Sequence, residues 1–173
     1  MNYNYYWNDI PGEGKCRNNL IYTSLMREDT KIFCQWFYND KVYHKGQNEV
    51  VDTNLMQEKF DREVEYSLLM EKHYPQHVPV IKDINTETRK LYLEVDGIDF
   101  WNRANCSVEN YDSVLPDWRE QMIEILQAYK DLGLYKYSLH PSSYFIIDGK
   151  LKSFNHFFCY HENEGPIKIS DHA

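Results

Sequence analysis

Three histidines and one cysteine stand late in the chain, with His140 followed by His156, Cys159 and His161. Imidazole and thiolate are the ligands zinc prefers, but zinc patterns pair their ligands at short fixed spacings, and these four residues contain no such pair. Cys159 between two histidines also offers a nucleophile. Nothing else in the sequence supplies an oriented triad, so a structural thiol is the simpler reading. Pro11-Gly12-Glu13-Gly14-Lys15 has the glycines and lysine of a phosphate loop. That pattern requires glycine where Asp9 stands and Ser or Thr where Cys16 stands, so the stretch reads as a turn. The remaining concentration of chemistry lies between Gly133 and Phe157, where Ser138, His140, Ser143 and Asn155 are spaced along GLYKYSLHPSSYFIIDGKLKSFNHF.

The elements around this stretch are legible from pattern. Pro116-Asp117 opens a helix whose apolar face carries Trp118, Met122, Ile125, Leu126, Tyr129 and Leu132, and Gly133 suits its C-terminal cap. A loop with Leu139-His140-Pro141 follows. Then come a short apolar strand from Tyr144 to Ile147, a turn at Asp148-Gly149, and a second strand from Leu151 to Phe154. Upstream, 54–73 predicts a helix, with Asn54 capping and Gln57 reaching back, and with Met56, Phe60, Val64 and Leu68 forming one buried stripe. Leu20–Leu25, Lys31–Tyr38 and Lys41–Lys45 read as three antiparallel strands, separated by the loop 26–30 and the tight link Asn39-Asp40. Val78–Ile81 and Lys90–Val95 read as two more, joined by a polar turn. Residues 1–19 read as an irregular arm, 102–114 as a polar connection, and the residues after Phe157 as a short polar tail.

The order of helix, loop and hairpin resembles the catalytic segment of the kinase-like superfamily, above all its aminoglycoside phosphotransferase and choline kinase branch. Ser138-Leu139-His140-Pro141-Ser142-Ser143 stands where that family has D-L-H-P-x-N, and Phe154-Asn155-His156 stands where it has the metal-binding aspartate motif. Val42-Tyr43-His44-Lys45 resembles the strand that carries the phosphate-contacting lysine, which would be Lys45; with the strands shifted by one, Gln35 holds that place. Glu63 occupies the position of the glutamate that pairs with this lysine. Read alone, it belongs with Asp61, Arg62 and Glu65 to a solvated face. Leu93 to Trp101 resembles the hinge, in which backbone groups around Glu94 to Asp96 would hold an adenine ring.

The resemblance implies an α+β, kinase-like fold: an antiparallel N-lobe sheet (20–97) with one regulatory-type helix, and a minimal, truncated C-lobe (98–173), together one domain. It also implies impaired catalysis. Phosphoryl transfer needs an acidic base and oxygen ligands for magnesium, largely carboxylate and phosphate. Ser138 is a poor base, Ser143 and Asn155 are neutral ligands, His140 keeps a structural role, and Glu28 and Asp29 in a loop without glycine would repel a phosphate chain. The expected function is that of a pseudokinase, a binding or regulatory module with at most weak ATP and Mg²⁺ binding through Lys45, Glu63, Glu94 and Asp96. The alternative is a small atypical phosphotransferase acting on a hydroxyl compound or a protein.

Composition sets outer limits on partners. The 173 residues have 42% hydrophobic content and a formal net charge of −8, which argues against nonspecific nucleic-acid binding. Four scattered cysteines, with no signal-peptide pattern at the start and no long apolar run, suit reduced thiols in the cytoplasm and no membrane span. The amphipathic helix 117–132 needs cover from the arm, the tail or a second subunit, so a protein partner or a homodimer is expected.

Overall fold

A computed structural model describes side chains for residues 57–94, 111–136, 143–156 and 159–164, and the backbone alone at 2–4, 15–17, 21–28, 31–38, 41–44, 47–50, 53–56, 95, 98–99 and 108–110. The fold is α+β, with small antiparallel sheets.

The largest sheet is six-stranded. Strands β3 (Ile21–Glu28), β4 (Lys31–Tyr38), β8 (Lys90–Val95) and β7 (Val80–Asn85) lie side by side, and β1 (Asn2–Asn4) and β2 (Lys15–Arg17) both pair with β3. Residues 1–19 are therefore not wholly irregular: Asn2–Asn4 and Lys15–Arg17 add to the edge of β3 through backbone pairing, which asks little of side-chain type. β3 and β4 run on to the pair Glu28↔Lys31, so most of the stretch expected to be the loop 26–30 is strand. Opposite charges in register suit that extension.

β5 (Lys41–His44) pairs not with β4 but with β6 (Gln47–Val50), in a separate two-stranded sheet. The expected hairpin across Asn39-Asp40 is excluded because β8 occupies that edge of β4, in register from Ile32↔Val95 to Phe37↔Lys90. In this sheet Gln35 stands between Ser24 and Tyr92.

Helix α1 (Thr53–His73) forms where expected but turns a different face inward. Lys59, Phe60, Glu63, Tyr66, Ser67 and Met70 are buried, whereas Leu68 is 44% exposed. The spacing of 3, 4 and 7 is that of one helical stripe, but half of its members are polar, which moved the apolar reading onto Val64 and Leu68. Gln57 donates forward to Asp61 at 2.8 Å; the side chain of Asn54, expected to cap the helix, lies outside the described residues.

Residues 108–114, expected to be a connection, form helix α2 (Val108–Val114). Its Tyr111 ring meets Trp118 edge-on at 5.5 Å, and Asp112 accepts from Trp118 Nε1 and Arg119, tying α2 to the start of α3 (Trp118–Asp131). Gly133, at φ +73°, ends α3, with its N–H bonded to the carbonyl of Lys130. Strands β11 (Tyr144–Ile147) and β12 (Lys150–Ser153) form the expected hairpin, turning at Asp148 (φ +51°) and Gly149 (φ +74°). Positive φ at both central residues is the type I′ geometry that suits strand twist. β9 (Ile98–Asp99) adds to the far edge of β11.

The expected tail contains a strand, β13 (Cys159–His161), paired with β10 (Leu134–Lys136). The core lies among α1, α3 and the hairpin: Tyr66, Met70, Ile125, Tyr129, Tyr144 and Leu151 pack in one cluster. Phe145, pointing to the other face of β11, stacks on Phe154 at 4.4 Å. The apolar side of α3 is thus covered from within the chain. Among the described residues, no helix is long and apolar enough to cross a membrane.

Candidate functional site

The site expected from the sequence is anchored by the residues that follow the hairpin. As β12 ends, Phe154 N–H donates to the carbonyl of Ser143 at 3.0 Å, and Asn155 takes φ +66°. Asparagine tolerates this left-handed region better than most side chains do. The reversal carries its amide to Ser143, where Nδ2 donates to Oγ at 2.7 Å. Both residues are 1% exposed, and the Asn155 carbonyl oxygen has no hydrogen-bond partner among the described residues.

His156 follows and is enclosed on both sides. Its Nδ1 lies 2.8 Å from Ser67 Oγ and 3.6 Å from Glu63 Oε2, both on α1; its Nε2 lies 2.6 Å from the Tyr129 hydroxyl on α3. A neutral imidazole carries one N–H, so the ring donates to one hydroxyl and accepts from the other. Tyr129 also bonds Ser153 Oγ at 2.9 Å. This network joins α1, α3 and the hairpin through polar groups that are 5% exposed or less.

Lys136 completes the cluster. On β10 it alternates inward with Leu134 while Tyr135 faces out, and its register partner on β13 is Cys159. Its ammonium donates to the carbonyl of Phe154 at 2.6 Å and lies 5.7 and 5.8 Å from the ring centres of Tyr129 and Tyr144. Burial brings its pKa down to about 8, against the opposing pull of Cys159 and Glu63. Burial and then Lys136 keep His156 well below the ordinary imidazole value. Burial pushes the Cys159 thiol up to about 12 and raises the Tyr129 phenol, so these groups remain neutral near pH 7.

Of the residues expected at the site, Ser143 and Asn155 are brought into contact, and Glu63 stands beside the neighbouring His156. Glu63 is fully buried rather than on a solvated face. Glu94 lies in an interior strand, in register with Phe33 and Val80. Ser138, His140, Lys45 and Asp96 fall outside the described residues, and the pairing of Lys45 with Glu63 falls with them. Sequence reasoning missed Lys136, Ser67 and Tyr129 as polar partners. The inward phase of Leu134-Tyr135-Lys136, with lysine on the same side as leucine, was the available signal for the first.

Chemically, Ser67, His156 and Glu63 have the residue types of a hydrolytic triad but no exposed surface from which a substrate could reach them. Both nitrogens of His156 are taken by hydroxyls, and among the described residues no group of His, Cys, Asp and Glu is placed to hold a metal. Magnesium would meet a hydroxyl and an amide at Ser143 and Asn155, without the carboxylates it relies on. This pair does not fit that ion, and no chemical step is derived through it. No protein-family model matches the chain, and no curated protein matches its sequence.

Proposed function

We propose that this chain is a kinase-like module that has lost phosphoryl transfer and acts by binding a protein partner. The observation that carries the reading is the contact of Ser143 with Asn155. These residues sit at the two positions where the family resemblance sets its metal ligands. Their meeting supports the kinase-like frame, and their neutrality and mutual hydrogen bond count against a metal-dependent reaction there. The burial of Glu63 on the inner stripe of α1, beside the segment that follows the hairpin, supports the same frame. A solvated-face glutamate would have no reason to be there.

The test is thermal unfolding with ATP, ADP and GTP, each with and without magnesium or manganese. A ligand bound only by the folded chain at a hundredfold excess over its Kd adds about 2.7 kcal/mol of apparent stability. The expected result is no metal-dependent rise at millimolar nucleotide. A rise that requires the metal would overturn the proposal in favour of a phosphotransferase.

A further inference from the structure

Away from the buried cluster, three donors converge on one carboxylate. Arg62 Nη1 donates to both oxygens of Glu164 at 2.8 and 2.7 Å, the Tyr66 hydroxyl donates to Oε1 at 2.5 Å, and the backbone N–H of His161 donates to the same oxygen at 2.8 Å. The donors are held by contacts that do not involve Glu164. Arg62 also donates to the carbonyl of Cys159 at 3.2 Å and lies 4.2 Å from the ring centre of Tyr160. Its side chain is 15% exposed, and Tyr66 is 6% exposed. The His161 N–H belongs to β13, which β10 fixes. Burial raises the Glu164 carboxyl, but the bonds from Tyr66, His161 and Arg62 outweigh it and hold the group below the usual carboxylate range.

We infer that Arg62, Tyr66 and the His161 N–H form an oxyanion-binding site that the chain fills with its own Glu164, making the segment 162–164, just past β13, a latch on helix α1. A guanidinium, a phenol and a backbone N–H on one anion are charge-assisted and neutral donors of the kind that recognise carboxylate or phosphate. The latch ends beside an open cavity of about 460 Å³ that also reaches Gln57, Glu58, Asp61 and Glu65. These three further carboxylates repel a free anion, with Glu58 itself 3.6 Å from Arg62 Nη2. A tethered carboxylate has the advantage of high effective concentration, so Glu164 occupies the site ahead of ions in solution. A partner that presents an oxyanion through this cavity competes with Glu164 and frees the segment from α1.

The test removes the tethered anion and supplies free ones. Glu164→Ala should lower Tm by about 5 °C, and acetate or inorganic phosphate should restore part of the loss relative to chloride at equal ionic strength. The restoration should vanish in the double variant Arg62→Met/Glu164→Ala. Acetate and phosphate in separate arms show whether carboxylate or phosphate fits better. If Glu164→Ala does not fold, Glu164→Ser also vacates the site while keeping a small polar side chain at the surface and should show the same anion dependence. No restoration by either anion, or an equal restoration without Arg62, would overturn the site and leave Glu164 as an ordinary surface ion pair.

Discussion

Replacing Lys136 with methionine should remove a gain in stability that the wild-type chain shows as the solution becomes alkaline. Lys136 is 7% exposed, and burial lowers its ammonium from 10.5 to about 8. Below pH 8 the folded and unfolded chains both hold the proton, and the folded chain bears the whole cost of the buried charge. Between pH 8 and 10.5 the folded chain has released the proton while the unfolded chain retains it. Stability therefore rises with pH by about 1.4 kcal/mol per pH unit. Cys159 acts in the other sense, because burial pushes its thiol from 9.0 to about 12 and the unfolded chain loses that proton first.

Wild-type stability should accordingly climb by about 0.6 kcal/mol from pH 8 to 9, where Lys136 starts half titrated and the unfolded thiol begins to ionise. It should then level off as the two slopes cancel, until the raised phenols of Tyr66, Tyr129 and Tyr144 turn it down near pH 10. The variant should be level to pH 9 and then fall. Variant minus wild type removes most contributions other than that of Lys136 and should move by about 2 kcal/mol in favour of wild type between pH 8 and 10. Urea unfolding at half-unit steps of pH, compared at a common m value, measures it. A difference that stays within about 0.5 kcal/mol over this span, close to the error of such measurements, would refute the placement of a buried ammonium in this cluster.

Two further outcomes test the surroundings. Gly149→Ala meets nothing within 4 Å and should cost about 1 kcal/mol for its φ of +74° alone. Gly133→Ala adds a Cβ 3.2 Å from His161 Nε2 and 3.3 Å from Glu162 to a φ of +73°, and should cost about 2–3 kcal/mol; equal Tm losses in the two variants would mean that the end of β13 yields freely. His156, held neutral by burial and by Lys136, takes no proton as the pH falls through 6.5 while the unfolded chain does, so stability should decline below that pH. NMR titration checks this directly, and a His156 ring that protonates near 6.5 in the folded chain would contradict the enclosure by Ser67 and Tyr129.

Local signals carried well into the structure. The Asp148-Gly149 turn and the α3 face ending at Gly133 were legible because turn chemistry and helical period are properties of a few adjacent residues. α1 was found but misoriented, because its buried stripe includes Lys59, Glu63 and Ser67 and no periodicity of apolar residues can reveal a polar face turned inward. β13 and the strands before residue 20 were hidden for a different reason: each is three residues long and exists through pairing with a partner elsewhere in the chain. The contact of Ser143 with Asn155 was legible only as two positions in a motif; the left-handed backbone at Asn155 that brings it about leaves no mark in composition. Lys136 was passed over because lysine suggests solvent, although its place in the strand alternation pointed inward.

The span of the contacts made by α1 has a consequence for how the protein is made. Tyr129 and Gln121 reach their hairpin partners across 24 to 30 residues, whereas Arg62 and Tyr66 meet Cys159 and Glu164 across 97 to 102. Closing the longer loops costs only about 1 kcal/mol more in chain entropy, so equilibrium hardly penalises them. Order of synthesis does: α1 leaves the ribosome roughly 5 to 20 seconds before the segment that fastens it. During that interval Arg62, Tyr66 and Ser67 lack the partners that Cys159, Glu164 and His156 later supply. A newly made chain would therefore hold the N-terminal sheet with an unfastened helix until residues 156–164 emerge, and that is the period in which another protein could most readily engage α1.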